Sequence, residues 1–339
     1  MSTLPHTDNL SIQRASKGSI AILKDQFPAT GGASSPNALA DILQKEGFGV
    51  TYLRIGDLCD AGVLQKENFD VLLLPYGPAY PADGRDALLA YLKSGGTFLS
   101  IGGYTFDRLL RFENGKWIEA PSNVTASEMD AQKAEIRINT RFGRPGDALG
   151  LQPDQIGVFD PSYELGQVAR LAAAPGQSLA PPGLKLSGDF KGFAASGLVG
   201  SNSPVFPDIW ARWIPLVNAY DAFGRLRGSA GSLMYHYAGP YAQSAWAFFG
   251  VTNHDLFAPS APTEMKELLV NTIEALIRKT FLHELKTDLA CYRQGEQVKF
   301  SVQISNFGPH PRKVQVLLRV RGKEGGPSDF KGSHQAAFD

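Results

Sequence analysis

Short apolar runs alternate with stretches of helical periodicity along the first hundred residues. Ser19–Lys24 (SIAILK) is the kind of run that a buried strand needs. Pro28–Asn37, rich in Gly, Ser and Pro, predicts a loop, and Ala38–Gly47 predicts a helix with a glycine stop. Phe48–Leu53 predicts a second strand. Asp70–Pro75 (DVLLLP) predicts a third, apolar throughout and therefore covered on both faces. Asp83–Ser94 places Leu88, Leu89 and Leu92 at helical spacing and stops at Gly95-Gly96; Thr97–Ile101 (TFLSI) then predicts a fourth strand ending at Gly102-Gly103. Strands alternating with helices every ~25–30 residues predict an α/β fold with a doubly wound, mostly parallel sheet. Ligands of such sheets sit beyond the carboxyl ends of the strands, so the loops starting at Asp25, Tyr76 and Gly102 rim any site.

The period breaks after Phe112. From there to Pro204 the chain is rich in Gly and Pro, with one alternating stretch, Glu135–Arg141 (EIRINTR), that reads as a half-exposed strand. The rest is expected to be a long irregular insertion, reaching about residue 212, that lies over the sheet and forms no core of its own. Trp213–Tyr220 and Ser232–Tyr237, joined through a turn at Asp221–Gly224, predict a hairpin. Ser244–Val251 (SAWAFFGV) predicts another buried strand. Pro262–Phe281 is the clearest helix, with Leu268, Leu269, Ile273, Leu276, Ile277 and Phe281 on one face. Beyond it, Glu296–Ser305 and Lys313–Arg321 (KVQVLLRVR) have strand periodicity. A β-sandwich needs ~100 residues and seven strands, so the expectation is a partial β-sandwich and a natural protein longer than this chain. The predicted organisation is a flexible lead-in over 1–18, an α/β domain over 19–282 and a truncated β domain over 285–339.

Composition narrows the function classes. Lys+Arg and Asp+Glu both number 33, so the net charge is zero and no global field attracts a polyanion; a dedicated nucleic-acid binder is not expected. No stretch approaches the ~20 apolar residues of a membrane span, and the N-terminus has no apolar signal-peptide core. Cys59 and Cys291 lack CxxC spacing, and His6, His283, His310 and His334 are scattered, so no metal set is indicated. Gly31-Gly32-Ala33-Ser34-Ser35 precedes a helix, where backbone N–H groups can hold an anion. It lacks the G-x-G-x-x-G spacing and any P-loop lysine, so a plain loop is the simpler reading and no cofactor is expected.

Three segments carry a resemblance. Trp246-Ala247-Phe248-Phe249-Gly250-Val251-Thr252-Asn253-His254-Asp255 resembles the G-V-x-x-H-P-E segment of class I glutamine amidotransferases, with His254 at the catalytic base. Asp70–Gly77 looks like the family's strand leading to a P-G-G oxyanion turn, and Gly95–Tyr104 like its strand leading to the nucleophile elbow. The resemblance covers about residues 19–282 apart from the insertion. Its departures are specific. Gly103 or Tyr104 stands where the elbow needs a cysteine, Leu256 stands where the histidine's glutamate partner belongs, and Tyr76 replaces the first glycine of the turn. Nucleophilic catalysis needs nucleophile, base and orienter together, and at most the base is present.

Cysteine-less domains of this kind occur in multidomain carbohydrate-active proteins, including the β-galactosidase trimerisation domain, and in bacterial secreted proteins that append adhesion-related Ig-like modules; Leu285–Arg321 looks like the start of such a module. The resemblance therefore implies a noncatalytic scaffold or carbohydrate-binding module from a larger glycoside-hydrolase-like protein, exported from a bacterial cell. Its implied partners are carbohydrate, further copies of itself and the remaining domains of the longer chain. Two alternatives stand beside it. One is a hydrolase rebuilt around His254, Tyr104 and Asp25 for a small ester, amide or glycoside, with Tyr76, Gly77, Gly102 and Gly103 on its rim. The other is an oligomerisation module. Phe206, Trp210 and Tyr241 are candidates for sugar stacking or for an interface.

Overall fold

In the computed structural model, the described residues are 4–28, 34–103, 108–119, 163–164, 168–194, 211–239, 241–252, 254–293, 295–318 and 332–338. Glu135–Arg141, expected as a strand, lies outside them. The chain divides into two compact units, Met1–Ile277 and Arg278–Asp339, each taken by itself below.

The apolar runs of the first unit become strands of one sheet. These are β1 (Ser19–Leu23), β2 (Gly49–Leu53), β3 (Val71–Leu74), β5 (Thr97–Ile101) and β14 (Ala245–Phe249). They pair in parallel, in the spatial order β2-β1-β3-β5-β14. Every residue of β1, β3, β5 and β14 is buried, as an uninterrupted apolar run requires. Beyond β14 the sheet continues antiparallel through the hairpin β13 (Leu226–His236) and β12 (Ala211–Asp221), then β9 (Val168–Ala173) and β10 (Lys185–Phe190). The nine-stranded sheet is thus mixed, with four parallel and four antiparallel pairings, where the sequence suggested a mostly parallel one. Part of the segment expected to lie over the sheet supplies two of its strands. The reason is local: VARLAA has helix-forming composition and KLSGDF has the look of a loop, and pairing to β12 overrides both.

Among the described residues, four helices accompany the sheet. Helix α1 (Pro36–Lys45) begins at Ser35, whose Oγ accepts from the Ala38 amide, with Pro36 at the first helical position. Helix α2 (Ile55–Cys59) is short. Helix α3 (Arg85–Lys93) follows a single 3₁₀ turn at Ala82–Gly84. Helix α4 (Thr263–Arg278) turns Met265, Leu268, Leu269, Thr272, Ile273 and Leu276 into the core. It stops earlier than its periodicity suggested, because Lys279 takes a left-handed φ of 45° and Thr280 opens a strand. Residues α2 Ile55 and Leu58 and α3 Leu88, Tyr91 and Leu92 share one core cluster with Leu23, Leu53, Leu72, Leu74, Phe98, Trp246 and Phe248 of the strands. The alternate strand residues, among them Ile20, Ile22, Leu73 and Leu99, are buried as well. Helices α1 and α4 line a common groove through Ala38, Ile42, Thr263 and Val270.

Residues 4–18 run along the β2 side of the sheet. Leu4, Leu10 and Ile12 pack against the core. The Pro5 carbonyl accepts from the Gly56 amide at 2.8 Å, the Gln13 amide donates to Thr51 Oγ1 at 2.8 Å, and Ser19 Oγ donates to the Gln13 carbonyl at 2.9 Å. The buried Asp57 carboxylate joins this segment to α2, taking the amides of Thr7 at 3.1 Å and Arg54 at 2.9 Å. A small sheet, β4 (Ala79–Pro81) with β6 (Arg108–Glu113) and β7 (Lys116–Glu119), follows β3, and β8 (Tyr163–Glu164) pairs with β11 (Phe193–Ala194). In the second unit β15 (Thr280–Thr287) pairs antiparallel with β16 (Phe300–Asn306), and β17 (Arg312–Leu318) with β18 (Gly332–Phe338).

The centre of the first unit's core is Trp246, fully buried, stacked on Phe98 at 5.6 Å and touching His236 at 4.1 Å between centroids. Burial pushes the His236 imidazole down to about 3. The unfolded chain binds the same proton near 6.5, so the contribution of this group is complete above pH 6.5 and is lost as the pH falls toward 3. The expected loss is about 1.4 kcal/mol per pH unit in that window. Urea unfolding between pH 7 and pH 4 should show this extra slope in the wild type and not in His236→Phe; parallel curves would contradict it.

Candidate functional site

The ends of β1, β3, β5 and β14 bring the predicted rim together. Asp25 follows β1, Tyr76-Gly77 follow β3, Gly102-Gly103 follow β5, and a 3₁₀ turn at His254–Phe257 follows β14. Tyr104, Phe206 and Trp210 lie outside the described residues, as does the side chain of His254.

Asp25 and Tyr76 meet. The Tyr76 hydroxyl donates to the Asp25 carbonyl and accepts from the Asp25 amide, each at 3.0 Å. Burial raises the Tyr76 phenol above its ordinary value; the hydrogen bond to the Asp25 backbone offsets part of this, and the Asp25 charge adds to it. The group therefore stays a donor. The Asp25 carboxylate is 5% exposed and faces α2: Oδ2 accepts from the Ile55 amide at 3.0 Å, and Oδ1 accepts from the Gln26 amide at 2.8 Å and Arg54 Nη2 at 3.5 Å. It neutralises the first turn of a helix, where backbone N–H groups otherwise lack partners.

The two glycine turns commit their amides to the sheet. Gly77 N–H donates to the Ile101 carbonyl and Gly102 N–H to the Phe249 carbonyl, both at 2.9 Å. Gly103, one of the two positions expected at the elbow, has a φ of 146°; a Cβ placed on it would stand 3.2 Å from Pro78 Cδ and 3.6 Å from Thr252 Cγ2. Thr252 is itself fixed, its amide donating to the Lys191 carbonyl at 2.8 Å, and Gly192 bridges Val251. Gly192 has to be glycine, since a Cβ would lie 1.9 Å from the Gly250 carbonyl oxygen. The Lys191-Gly192 crossing thus lies directly on the end of β14. Nearby, Phe27 packs against Tyr76 at 6.0 Å and edge-on to Trp117 at 4.8 Å, and Phe112 sits 5.1 Å from Trp117.

No other thiol substitutes at the elbow among the described residues. Cys59 ends α2 beside Gly84 and Tyr80, and burial, with the Asp83 charge second, pushes it up to about 12. A thiol that remains protonated is a poor nucleophile. Leu256, at the place of the family's glutamate, is buried. Tyr241 is 2% exposed and packs edge-on to Trp246 at 5.4 Å, so it presents no ring face to a sugar. Among the described residues no three His, Cys, Asp or Glu side chains cluster as metal ligands, and no helix is long and apolar enough to cross a membrane. The closing contacts of Pro78, Thr252 and Lys191 left no signal in the sequence, because they depend on where the insertion docks.

No protein family matches the chain, and no curated protein matches it in sequence. Solved structures similar in fold include glycoside hydrolases and a ThuA-like protein. The α-L-fucosidase isoenzyme 2 from Paenibacillus thiaminolyticus is 11% identical, with 97% of this chain and 47% of that one covered and a TM-score of 0.45. The β-galactosidase from Bacillus circulans sp. alkalophilus is 9% identical, covering 96% and 40%, with a TM-score of 0.41. The ThuA-like protein from Bacteroides uniformis is 10% identical, covering 77% and 91%, with a TM-score of 0.34. The chain spans less than half the length of the two glycosidases.

The Tyr76 hydroxyl makes the one side-chain bridge between the β1 and β3 loops, among the hydrogen bonds named above, so Tyr76→Phe removes a donor and an acceptor at once. The expected cost is about 1–2 kcal/mol in urea unfolding. An unchanged midpoint would show that the loops are held by other means.

Proposed function

We propose that residues 19–277 form a noncatalytic, cysteine-less amidotransferase-like scaffold or carbohydrate module belonging to a larger carbohydrate-active protein. The observation that carries this reading is at Gly103, one of the two positions where the elbow needs a cysteine: it has no side chain, and the place of a first side-chain atom is bounded by Pro78 and Thr252, while the other position, Tyr104, has no thiol. Acyl transfer from glutamine needs a thiolate and free N–H donors aimed at the developing oxyanion. Here the Gly77 and Gly102 amides are already bonded within the sheet, and Asp25 serves as a helix cap. The rebuilt-hydrolase alternative loses its carboxylate on the same ground. The parallel order β2-β1-β3-β5-β14, with α1 beside α4 and α2 beside α3, supports a doubly wound, flavodoxin-like reading of this half. The antiparallel pairs β15–β16 and β17–β18 support an Ig-like reading of the second unit.

The test is ammonia release from glutamine by the wild type and by Gly103→Cys. Neither should release ammonia above the buffer rate. The cysteine should also destabilise the protein by about 1–3 kcal/mol, because a non-glycine residue at this φ is strained. Release by the wild type that disappears in His254→Ala would overturn the reading.

A further inference from the structure

The hairpin turn at Asp221–Gly224 carries the most exposed large apolar side chain among the described residues, Phe223, at 82%. A single exposed ring is ordinary on a protein surface; this one is held in a built setting. The Arg225 guanidinium lies over the ring, 5.1 Å from its centroid. Its Nε donates to Asp221 Oδ2 at 2.7 Å, which fixes the plane of the fork. Asp221, 4% exposed, also takes the amides of Phe223 and Arg225 on Oδ1, each at 2.9 Å, and has Arg227 Nε at 3.3 Å from Oδ2. The turn backbone and the guanidinium are therefore positioned before any ligand arrives, which removes part of the ordering cost of binding.

The pair borders a groove of about 450 Å³ whose other walls include Val168, Gly188 and Asp189. That volume is in the range of small-ligand sites, ~300–1,000 Å³. Gly188 adds no side chain to the wall, and the Phe190 ring lies 3.6 Å from the place of its Cβ. The groove joins two recognition elements: an aromatic face for C–H groups and a guanidinium that donates to hydroxyl oxygens. Its charges balance, Asp189 and Asp221 against Arg225 and Arg227, so an anionic ligand gains no net field.

We propose that this groove binds a neutral saccharide, with a pyranose ring stacked on Phe223 and its hydroxyl oxygens accepting from Arg225. This rests on the carbohydrate-module reading for its biological setting, and is independent of the closed elbow at Gly103. The experiment is titration calorimetry, with saturation-transfer NMR, of the full chain against cellotetraose, galactotetraose and laminaritetraose at millimolar concentration, with tetragalacturonate as the acidic counterpart. At least one neutral tetrasaccharide should bind, Phe223→Ala should weaken it by about tenfold, and Arg225→Gln should weaken it severalfold. Both variants should keep the wild-type circular dichroism; Phe223→Tyr, which retains the ring, should retain binding and guards against a folding defect in the alanine variant. Binding to none of the neutral probes, equal binding to Phe223→Ala, or a preference for tetragalacturonate would overturn the proposal. None of these outcomes touches the ammonia assay, so the two readings fail separately.

Discussion

Two backbone hydrogen bonds, Gly77 N–H to the Ile101 carbonyl and Gly102 N–H to the Phe249 carbonyl, carry the parallel ladder of β3, β5 and β14 past the last strand residues and into the turns. Everything at the rim depends on them. A buried amide has to find a partner, and leaving one unmade costs about 1–3 kcal/mol. Here the sheet itself uses both donors. With both turns tied down, Gly103 follows in a conformation that suits glycine, and Pro78 and Thr252 close around it. The Lys191-Gly192 crossing on β14 completes the closure.

The same economy governs the polar groups around the rim. Asp25, just beyond the end of β1, has the partners of a helix cap. Its oxygens are satisfied by the amides of Ile55 and Gln26 and by Arg54. The Tyr76 hydroxyl is a brace between two loops. The donors and acceptors of the rim thus find one another within the framework. The hairpin groove around Phe223 and Arg225 lies on other strands and owes nothing to that rim.

Much of the parallel half was legible in the sequence, for a physical reason. Strands buried on both faces need uninterrupted apolar runs, and SIAIL, VLLL, TFLSI and AWAFF supply them. Helix α1 was legible from its periodicity and glycine stop, and α3 from Leu88 and Leu92. The antiparallel extension was only half legible. The hairpin β12–β13 showed alternation and a turn, whereas β9 and β10 have compositions that belong equally to helix and loop and become strands only through pairing. The short α2 was invisible because its stability comes from Asp25 and Asp57, distant or reciprocal caps that no local pattern announces. At the site, the sequence shows directly that no cysteine stands at Gly102-Gly103-Tyr104. It could not show that Asp25 faces α2, that Tyr241 is core, or that an exposed aromatic sits beside a fixed guanidinium.

The central claim, that the strand ends are closed by the sheet's own hydrogen bonds, is tested most directly by amide hydrogen exchange at Gly77 and Gly102, resolved by NMR. The account predicts protection approaching that of the core amides of β3 and β5, since both N–H groups are ladder members whose opening requires the sheet to open. Exchange at the rate of unprotected loop amides would contradict it, and would mean that these donors are available at the rim.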